Sequence, residues 1–153
     1  MTPIELTYEG GPNNAEALLV DPRDGAIVVV TKKDNGKSDI FTAAPPFVVG
    51  TKATLRKVGT IEIGLPPYVG SKLVTGASIT RSGDLLMLRT YTSAYAWTRR
   101  PGESIASAFA GTRCSLPART EAQSEAIAAS PDGSGFYTIS EGASPPLTFV
   151  PRL

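Results

Sequence analysis

A strand–turn–strand unit recurs three times along this chain, and the recurrence limits the fold more than any other feature of the sequence. The clearest copy is residues 123–141, where a small-sided segment anchored by Ile127 runs into Pro131-Asp132-Gly133. That tripeptide is typical of a tight turn, and the aromatic and β-branched residues 136–139 that follow it favour a strand. The segment therefore predicts a β-hairpin.

The two upstream copies keep the same plan. Residues 14–32 carry Pro22 and Gly25 in their turn, and residues 74–90 carry Ser82-Gly83. A self-similar β unit that recurs after roughly 40 to 50 residues is the sequence signature of a propeller blade, in which four antiparallel strands run from a central channel to the rim. The repeat therefore predicts consecutive blades of one β-propeller.

Composition agrees with an all-β chain. With 15 glycines and 13 prolines in 153 residues, the sequence is rich in turn residues, which favours many short strands. We predict a single all-β domain, a partial β-propeller of about three four-stranded antiparallel blades. One short helix is predicted near residues 103–110, because two apolar residues there lie at helical spacing. The predicted units are a strand at residues 4–8, blade one at 13–63, blade two at 73–117 and blade three at 123–151.

The predicted ring is incomplete. Natural propellers have about four to eight blades, and the third blade here has no fourth strand of its own. We expect the strand at residues 4–8 either to complete blade three or to be the last strand of a blade lost upstream. Three arrangements stay open: the C-terminal part of a longer propeller, an assembly of several copies, or a β-sandwich instead of a propeller. In the first two, the faces of the end blades need cover.

Several classes of function are excluded by residue content. The chain has no histidine, so it has no Ser-His-Asp or Cys-His catalytic group and no histidine-ligated zinc. Its net charge of +1 gives no general attraction to nucleic acid, and no apolar run reaches the roughly 18 residues that span a bilayer. Cys114 is the one cysteine, so it forms no internal disulfide, and we expect it to be buried.

The candidate site follows from the repeat. Inner strands of a propeller line its channel, so the repeat-equivalent residues Glu16, Thr75 and Glu125 are expected to face one axis. Carboxylate oxygens are ligands that calcium prefers in proteins. Glu16 and Glu125, with Glu141 at the end of a following strand, are therefore candidate ligands for calcium, which is the one candidate cofactor.

Cationic and hydroxyl groups offer a second interpretation of the same region. Lys32, Arg89 and Tyr91 lie where the second strand of a hairpin ends. Together with Thr75 they are candidates for holding a small anion, such as phosphate or carboxylate, at the channel mouth. The alternative is structural, with these polar residues hydrogen-bonding one blade to the next.

Four runs of sequence resemble the C-terminal blades of secreted or lipid-anchored bacterial β-propeller proteins. They are NAEALLVDP (residues 14–22), VTGASIT (74–80), LRTYTSAYAW (88–97) and QSEAIAASPDG with TISEG (123–142). The resemblance covers about residues 12–150. It implies further blades with acidic channel residues and an export signal upstream, and hence an extracellular or cell-envelope location. The first residues, MTPIELTYEGG, lack the basic and apolar regions of a signal peptide.

A looser likeness extends to phytase-like and esterase-like propellers, a group that includes calcium-dependent phytases with acidic channel mouths. No catalytic residue is carried over from them. The first predicted function is a scaffold or binding fragment with a polar, acidic channel mouth, as part of a larger ring. The alternative is a calcium-dependent hydrolase of phosphoesters or esters that uses the channel carboxylates. The expected partners are further blades or further copies of the chain, with a small anion as ligand.

Overall fold

All three predicted hairpins form, and each begins one sheet. The computed structural model describes residues 3–63, 72–118, 121 and 123–152. Within these ranges, blade one contains β1 (Glu5–Tyr8), β2 (Ala15–Val20), β3 (Ile27–Thr31), β4 (Lys37–Ala43) and β5 (Lys52–Glu62). Blade two contains β6 (Val74–Ile79), β7 (Leu85–Thr90), β8 (Ala94–Thr98), α1 (Ile105–Phe109) and β9 (Arg113–Leu116). Blade three contains β10 (Ser124–Ala129), β11 (Gly135–Ser140) and β12 (Thr148–Pro151).

Local chemistry explains why the hairpins form where the sequence predicts them. Their turns contain Gly25, Gly83 and Gly133, whose φ angles are 77°, 72° and 73°. Residues with a Cβ are strained in this left-handed region, whereas glycine enters it freely. The unbroken apolar run of β3 is buried on both faces, because the core shared with blade two covers one face and an outer cluster that includes Phe41 and Tyr8 covers the other.

The strand order within each sheet is that of a propeller blade. Blade two runs β6-β7-β8-β9 and blade three runs β10-β11-β12, each strand antiparallel to the next. Blade one runs β2-β3-β4-β5 in the same way. The innermost strands β2, β6 and β10 pack against one another in turn, so three sheets stack in succession rather than two forming a sandwich. This arrangement confirms the predicted all-β partial propeller.

The N-terminal strand lies elsewhere than the sequence predicts. β1 pairs in parallel with β5, with Tyr8 opposite Leu55, so it extends the outer edge of blade one and does not complete blade three. The Tyr8 ring meets the Phe41 ring edge-on at 4.9 Å and covers part of the outer face of this blade. The expectation that this strand completes blade three was wrong, because pairing between a short strand and a distant sheet edge leaves no local signal in the sequence.

The predicted short helix is confirmed as α1. Ser104 caps it, because its hydroxyl oxygen accepts the N–H of Ser107 at 3.1 Å. Ile105, Ala108 and Phe109 are buried, since residues three and four apart lie on one face of a helix. That face packs against β5, β7 and β8, so the helix fills the space between blades one and two.

The two interfaces between blades are filled to different degrees. Fourteen buried apolar residues form the core between blades one and two in the described part of the chain, and five form the core between blades two and three. Trp97 is the largest residue of the first core, with its ring 5.1 Å from that of Phe109. The second interface has no counterpart of α1 among the described elements, so its outer part is open.

A buried ion pair joins blade two to blade one. Arg99 donates from Nη1 to Asp21 Oδ1 at 2.9 Å, and its Nη2 lies 2.8 Å from Oδ2. The two residues are 6% and 3% exposed. Burial alone raises the pKa of Asp21, but hydrogen bonds from Arg99 and from the Arg23 backbone hold it below its ordinary value. Because the pair is bidentate, Arg99 links blade two strongly to blade one.

The surface departs from expectation at one residue and agrees with it at others. Cys114, predicted to be buried, is exposed, because β9 is the outermost strand of blade two. The end faces carry exposed apolar side chains, such as Val20 on blade one and Phe149 on blade three. No helix in the described ranges has the length and apolarity needed to span a bilayer.

Candidate functional site

Three residues that the repeat places in register share an irregular backbone position. The pairing of each hairpin shifts by one residue at Glu16 in β2, at Thr75 in β6 and at Glu125 in β10. Such a β-bulge inserts one extra residue and re-aims its side chain. The bulges therefore exclude Glu16, Thr75 and Glu125 from the regular alternation of side chains along their strands. The sequence did not predict these bulges.

A second set of equivalent residues lies across each hairpin from the bulge. Thr31, Thr90 and Ser140 pair with the residues just before the bulges, Ala15, Val74 and Ser124. The next residue along each chain segment is Lys32 in blade one, Tyr91 in blade two and Glu141 in blade three. Each blade thus offers two side chains at the same end of its hairpin.

Lys32 joins blade one to blade two. Its Nζ donates to both carboxylate oxygens of Glu16, at 2.7 and 2.8 Å, and to the Tyr91 hydroxyl at 2.6 Å. The same nitrogen lies 4.5 Å from the centroid of the Tyr91 ring. Burial alone lowers the pKa of Lys32, but Glu16 and Tyr91 raise it above its ordinary value. The ammonium is therefore held in its charged form.

Glu125 brings blade three into the same cluster. Its pKa is raised above the ordinary value, first by burial and then by the negative charge of Glu16, with Glu141 adding to the effect. Lys32 and Tyr91 lower it by less. The structure thus brings Glu16 and Glu125 close enough for their charges to interact. We call Glu16, Lys32, Tyr91 and Glu125 the Lys32 network, and Glu141 lies exposed beside it.

Thr75 faces the protein interior and is not part of the Lys32 network. It is buried, and its hydroxyl donates to the Ser124 carbonyl at 2.6 Å, which ties β6 to β10. The adjacent Gly76 allows this approach, since a Cβ there would lie 2.8 Å from the Glu125 carbonyl oxygen. The structure therefore gives Thr75 a role in fixing the position of the Glu125 bulge.

Arg89 also lies inside the protein, between blades two and three. It is 1% exposed and pairs with Glu121, 8% exposed, at 2.7 Å. Thr138 of β11 donates to the other Glu121 oxygen at 3.2 Å. Burial lowers the pKa of Arg89, and Glu121 opposes that shift. Its Nε and Nη1 have no hydrogen-bond partner within the described ranges.

Glu121 is the one member of this region that sequence reasoning missed. It lies before the third hairpin and outside the repeat, so no periodic signal marks it. The one signal in the sequence is Arg89 at a strand end. If this arginine is buried, it needs a carboxylate partner, and Glu121 is that partner.

These contacts limit what the region can bind. An anion at Lys32 would have to displace Glu16 from the ammonium. An anion at Arg89 would have to reach a side chain that is 1% exposed and already paired with Glu121 through Nη2. A metal ion at Glu16 would have to displace the Lys32 ammonium, and the described residues contain no group of three acidic, histidine or cysteine side chains placed to hold a metal. The region combines three carboxylates, including Glu141, with one ammonium, so its charge balance favours cations.

No described protein family matches the sequence, and no curated protein aligns with it. Among solved structures, the chain is similar to the β-propeller domain of Cps50 (Swd1) from Myceliophteria thermophila, with a TM-score of 0.47 and 14% sequence identity. The match covers 82% of this chain and 35% of that one, so the chain spans about a third of its length. Strand order and the stacking of the three sheets identify the propeller blades.

Proposed function

We propose that this chain is a binding scaffold, part of a larger ring, that recognises a cationic group at the Lys32 network. The observation that carries the proposal is that all three blades supply side chains to one cluster, from one or both of two equivalent positions of the hairpin. Blade one supplies Glu16 and Lys32, blade two supplies Tyr91, and blade three supplies Glu125. A ring built from repeats gathers equivalent side chains around its axis in this way. Concave places with a few convergent polar groups are where proteins commonly bind ligands.

The charges of the Lys32 network and of Glu141 favour a positively charged ligand. Lys32 neutralises Glu16 at hydrogen-bond distance, whereas Glu125 and the exposed Glu141 have no ion pair within the described ranges. The pKa of Glu125 is raised first by burial and then by the negative charge of Glu16, so carboxylates outnumber cations around it. A primary amine or a guanidinium beside Glu125 and Glu141 would offset that excess of negative charge. A side chain of lysine or arginine on a protein partner fits this chemistry, and a nucleic acid backbone does not.

A larger ring is supported by the two end faces. Leu18 and Val20 are exposed on the outer side of β2, and Phe149 is exposed on the outer side of β12. Exposed apolar side chains on sheet faces favour burial against another sheet. We therefore propose that these faces pack against further blades or further copies of the chain.

Binding of a tri-arginine peptide tests the proposed function. We expect saturable shifts in the NMR amide signals of Glu16, Tyr91, Glu125 and Glu141, and an affinity about fivefold weaker in Glu125→Gln, since a partly buried ion pair is lost. Glu5→Gln is the matched control, because Glu5 pairs with Lys52 on the outer edge of blade one. Shifts spread over the whole surface, or equal affinity in both variants, would contradict the proposal.

Calcium chloride is titrated in parallel, because calcium at the same carboxylates is the competing hypothesis. Organic-cation recognition predicts no calcium-dependent rise in melting temperature. A rise that disappears when Glu16→Gln and Glu125→Gln are combined would instead favour the calcium site and the hydrolase alternative, and would overturn the proposal.

A further inference from the structure

An open groove lies between blades two and three, at the end of the hairpins opposite to the Lys32 network. It has a volume of about 770 Å³. Its floor is apolar and its rim is formed by the turns of the two hairpins and by the end of β12. The apolar lining includes Leu85, Met87, Leu116, Pro117, Phe136 and Pro151. A volume of this size suits a small-molecule ligand.

The repeat shows which part of the filled interface corresponds to this groove. The N–H of Arg99 donates to the Asp84 carbonyl at 2.7 Å, and the N–H of Arg152 donates to the Ser134 carbonyl at 2.7 Å. The two arginines therefore occupy the same position, one residue after the third strand of their blade. Arg152 lies at the groove beside the hairpin turn of blade two, and Arg99 lies beside the hairpin turn of blade one.

The position that Arg99 reaches is also repeated. The N–H of Asp21 donates to the Ala26 carbonyl at 2.8 Å, and that of Thr80 donates to the Leu85 carbonyl at 3.0 Å. Asp21 and Thr80 are thus equivalent turn-entry residues. Between blades one and two this position is a carboxylate that binds an arginine, and between blades two and three it is a hydroxyl.

Two things that complete the first interface are therefore absent from the described part of the second. The first is a carboxylate paired with the arginine, because Arg152 forms no side-chain hydrogen bond or ion pair with a described residue. The pKa of the nearby Asp84 is lowered first by the hydroxyls of Ser82 and Thr80, at 2.5 and 2.6 Å, and further by the charge of Arg152, which forms no ion pair with it. The second is the apolar filling that α1 provides. One ligand that carries both a carboxylate and an apolar body would supply the two together.

We propose that the groove binds a small apolar carboxylic acid. Its carboxylate pairs with the Arg152 guanidinium, as Asp21 pairs with Arg99. The rim also carries Arg81, Asp84 and Asp132, and both aspartates accept hydroxyl hydrogen bonds from their own turns. Its hydrocarbon body lies on Met87, Leu116 and Phe136, as α1 lies on the core of the first interface. This site is separate from the Lys32 network, and its test does not depend on the proposed function.

Calorimetric titration with decanoate, below its micelle concentration, tests the proposal, with decan-1-ol as the uncharged ligand of equal chain length. We expect one decanoate per chain and about tenfold weaker binding of the alcohol. Arg152→Gln should weaken decanoate about tenfold and leave the alcohol unchanged. Arg152 is exposed, so the substitution leaves the fold intact, and the exposed Arg56→Gln is the matched control.

NMR shifts and solution mass decide between this occupant and others. Shifts on adding decanoate should be confined to the groove residues, with the chain unchanged in mass by sedimentation. Binding that is equal in Arg152→Gln and wild type would overturn the proposal. So would a groove buried in a dimer that decanoate neither enters nor dissociates, because a second copy would then be its occupant.

Discussion

Replacing Arg99 with methionine is expected to lower the free energy of unfolding by about 3–5 kcal/mol, because one buried partner of an ion pair would lose the other. The substitution keeps the apolar stem and removes the guanidinium that donates to both oxygens of Asp21. Asp21 is 3% exposed, so water cannot replace the lost contacts without opening the interface between blades one and two. Urea unfolding near pH 7 measures the loss.

The control is Arg100→Met, one residue along the chain. Arg100 has an exposed side chain, so its loss should stay within about 0.5 kcal/mol. Combining Arg99→Met with Asp21→Asn should recover part of the stability, since no unpaired charge then remains buried. Equal losses in Arg99→Met and Arg100→Met would show that the ion pair does not hold the blades together.

The ion pair also predicts a pH dependence within the same experiment. The pKa of Asp21 is lowered in the folded protein, so its contribution to stability is present above the ordinary pKa of an aspartate and is lost as pH falls through the lowered value. In Arg99→Met the carboxylate is buried without its partner, so burial raises its pKa. The variant should therefore lose less stability than the wild type on acidification.

Replacing Trp97 with alanine is expected to cost about 3–5 kcal/mol, because it leaves a cavity in the larger of the two cores. Trp97 is 2% exposed, and its ring meets those of Phe109 and Tyr95 at 5.1 and 6.2 Å. The substitution therefore also removes part of the surface on which α1 packs. Because Trp97 is the one tryptophan in the chain, unfolding is followed by circular dichroism and not by fluorescence.

Phe149→Ala is the matched aromatic deletion. Phe149 is 44% exposed on the outer face of blade three, so its loss should cost much less than that of Trp97. Comparable losses at the two positions would mean that the space between blades one and two is not the main core of the protein.

Those parts of the fold that depend on neighbouring residues could be predicted from the sequence. Each hairpin is specified by its own turn, where Gly25, Gly83 and Gly133 adopt the left-handed conformation. The helix α1 is specified by its apolar spacing and is capped by Ser104. Because the hairpins are copies of one unit, the propeller architecture followed from the repeat itself.

Features that depend on distant parts of the chain could not be predicted. The parallel pairing of β1 with β5 joins segments that share no pattern, and the exposure of Cys114 follows from β9 being an edge strand. The bulges at Glu16, Thr75 and Glu125 shift the strand register, and no residue type in the sequence marks where such a shift occurs. A sequence pattern reports which residues are equivalent, and packing decides where their side chains point.

The candidate site shows the same division. Repeat equivalence was sufficient to select Glu16, Lys32, Tyr91 and Glu125, which the structure brings together. It could not separate them from Arg89, whose side chain is buried in an ion pair with a residue outside the repeat. Surface and interior polar residues at strand ends look alike in sequence, because burial is a property of the assembled blades.

The pKa of Glu125, measured by NMR in the wild type and in Glu16→Gln, tests most directly whether equivalent residues of the three blades converge. We expect a raised pKa in the wild type and a lower one in Glu16→Gln, because the variant removes a nearby negative charge and frees Lys32 to act on Glu125. Glu5→Gln should leave the value unchanged, since Glu5 lies on the outer edge of blade one. A Glu125 pKa that is the same in wild type and Glu16→Gln would contradict the convergence on which the proposed function depends.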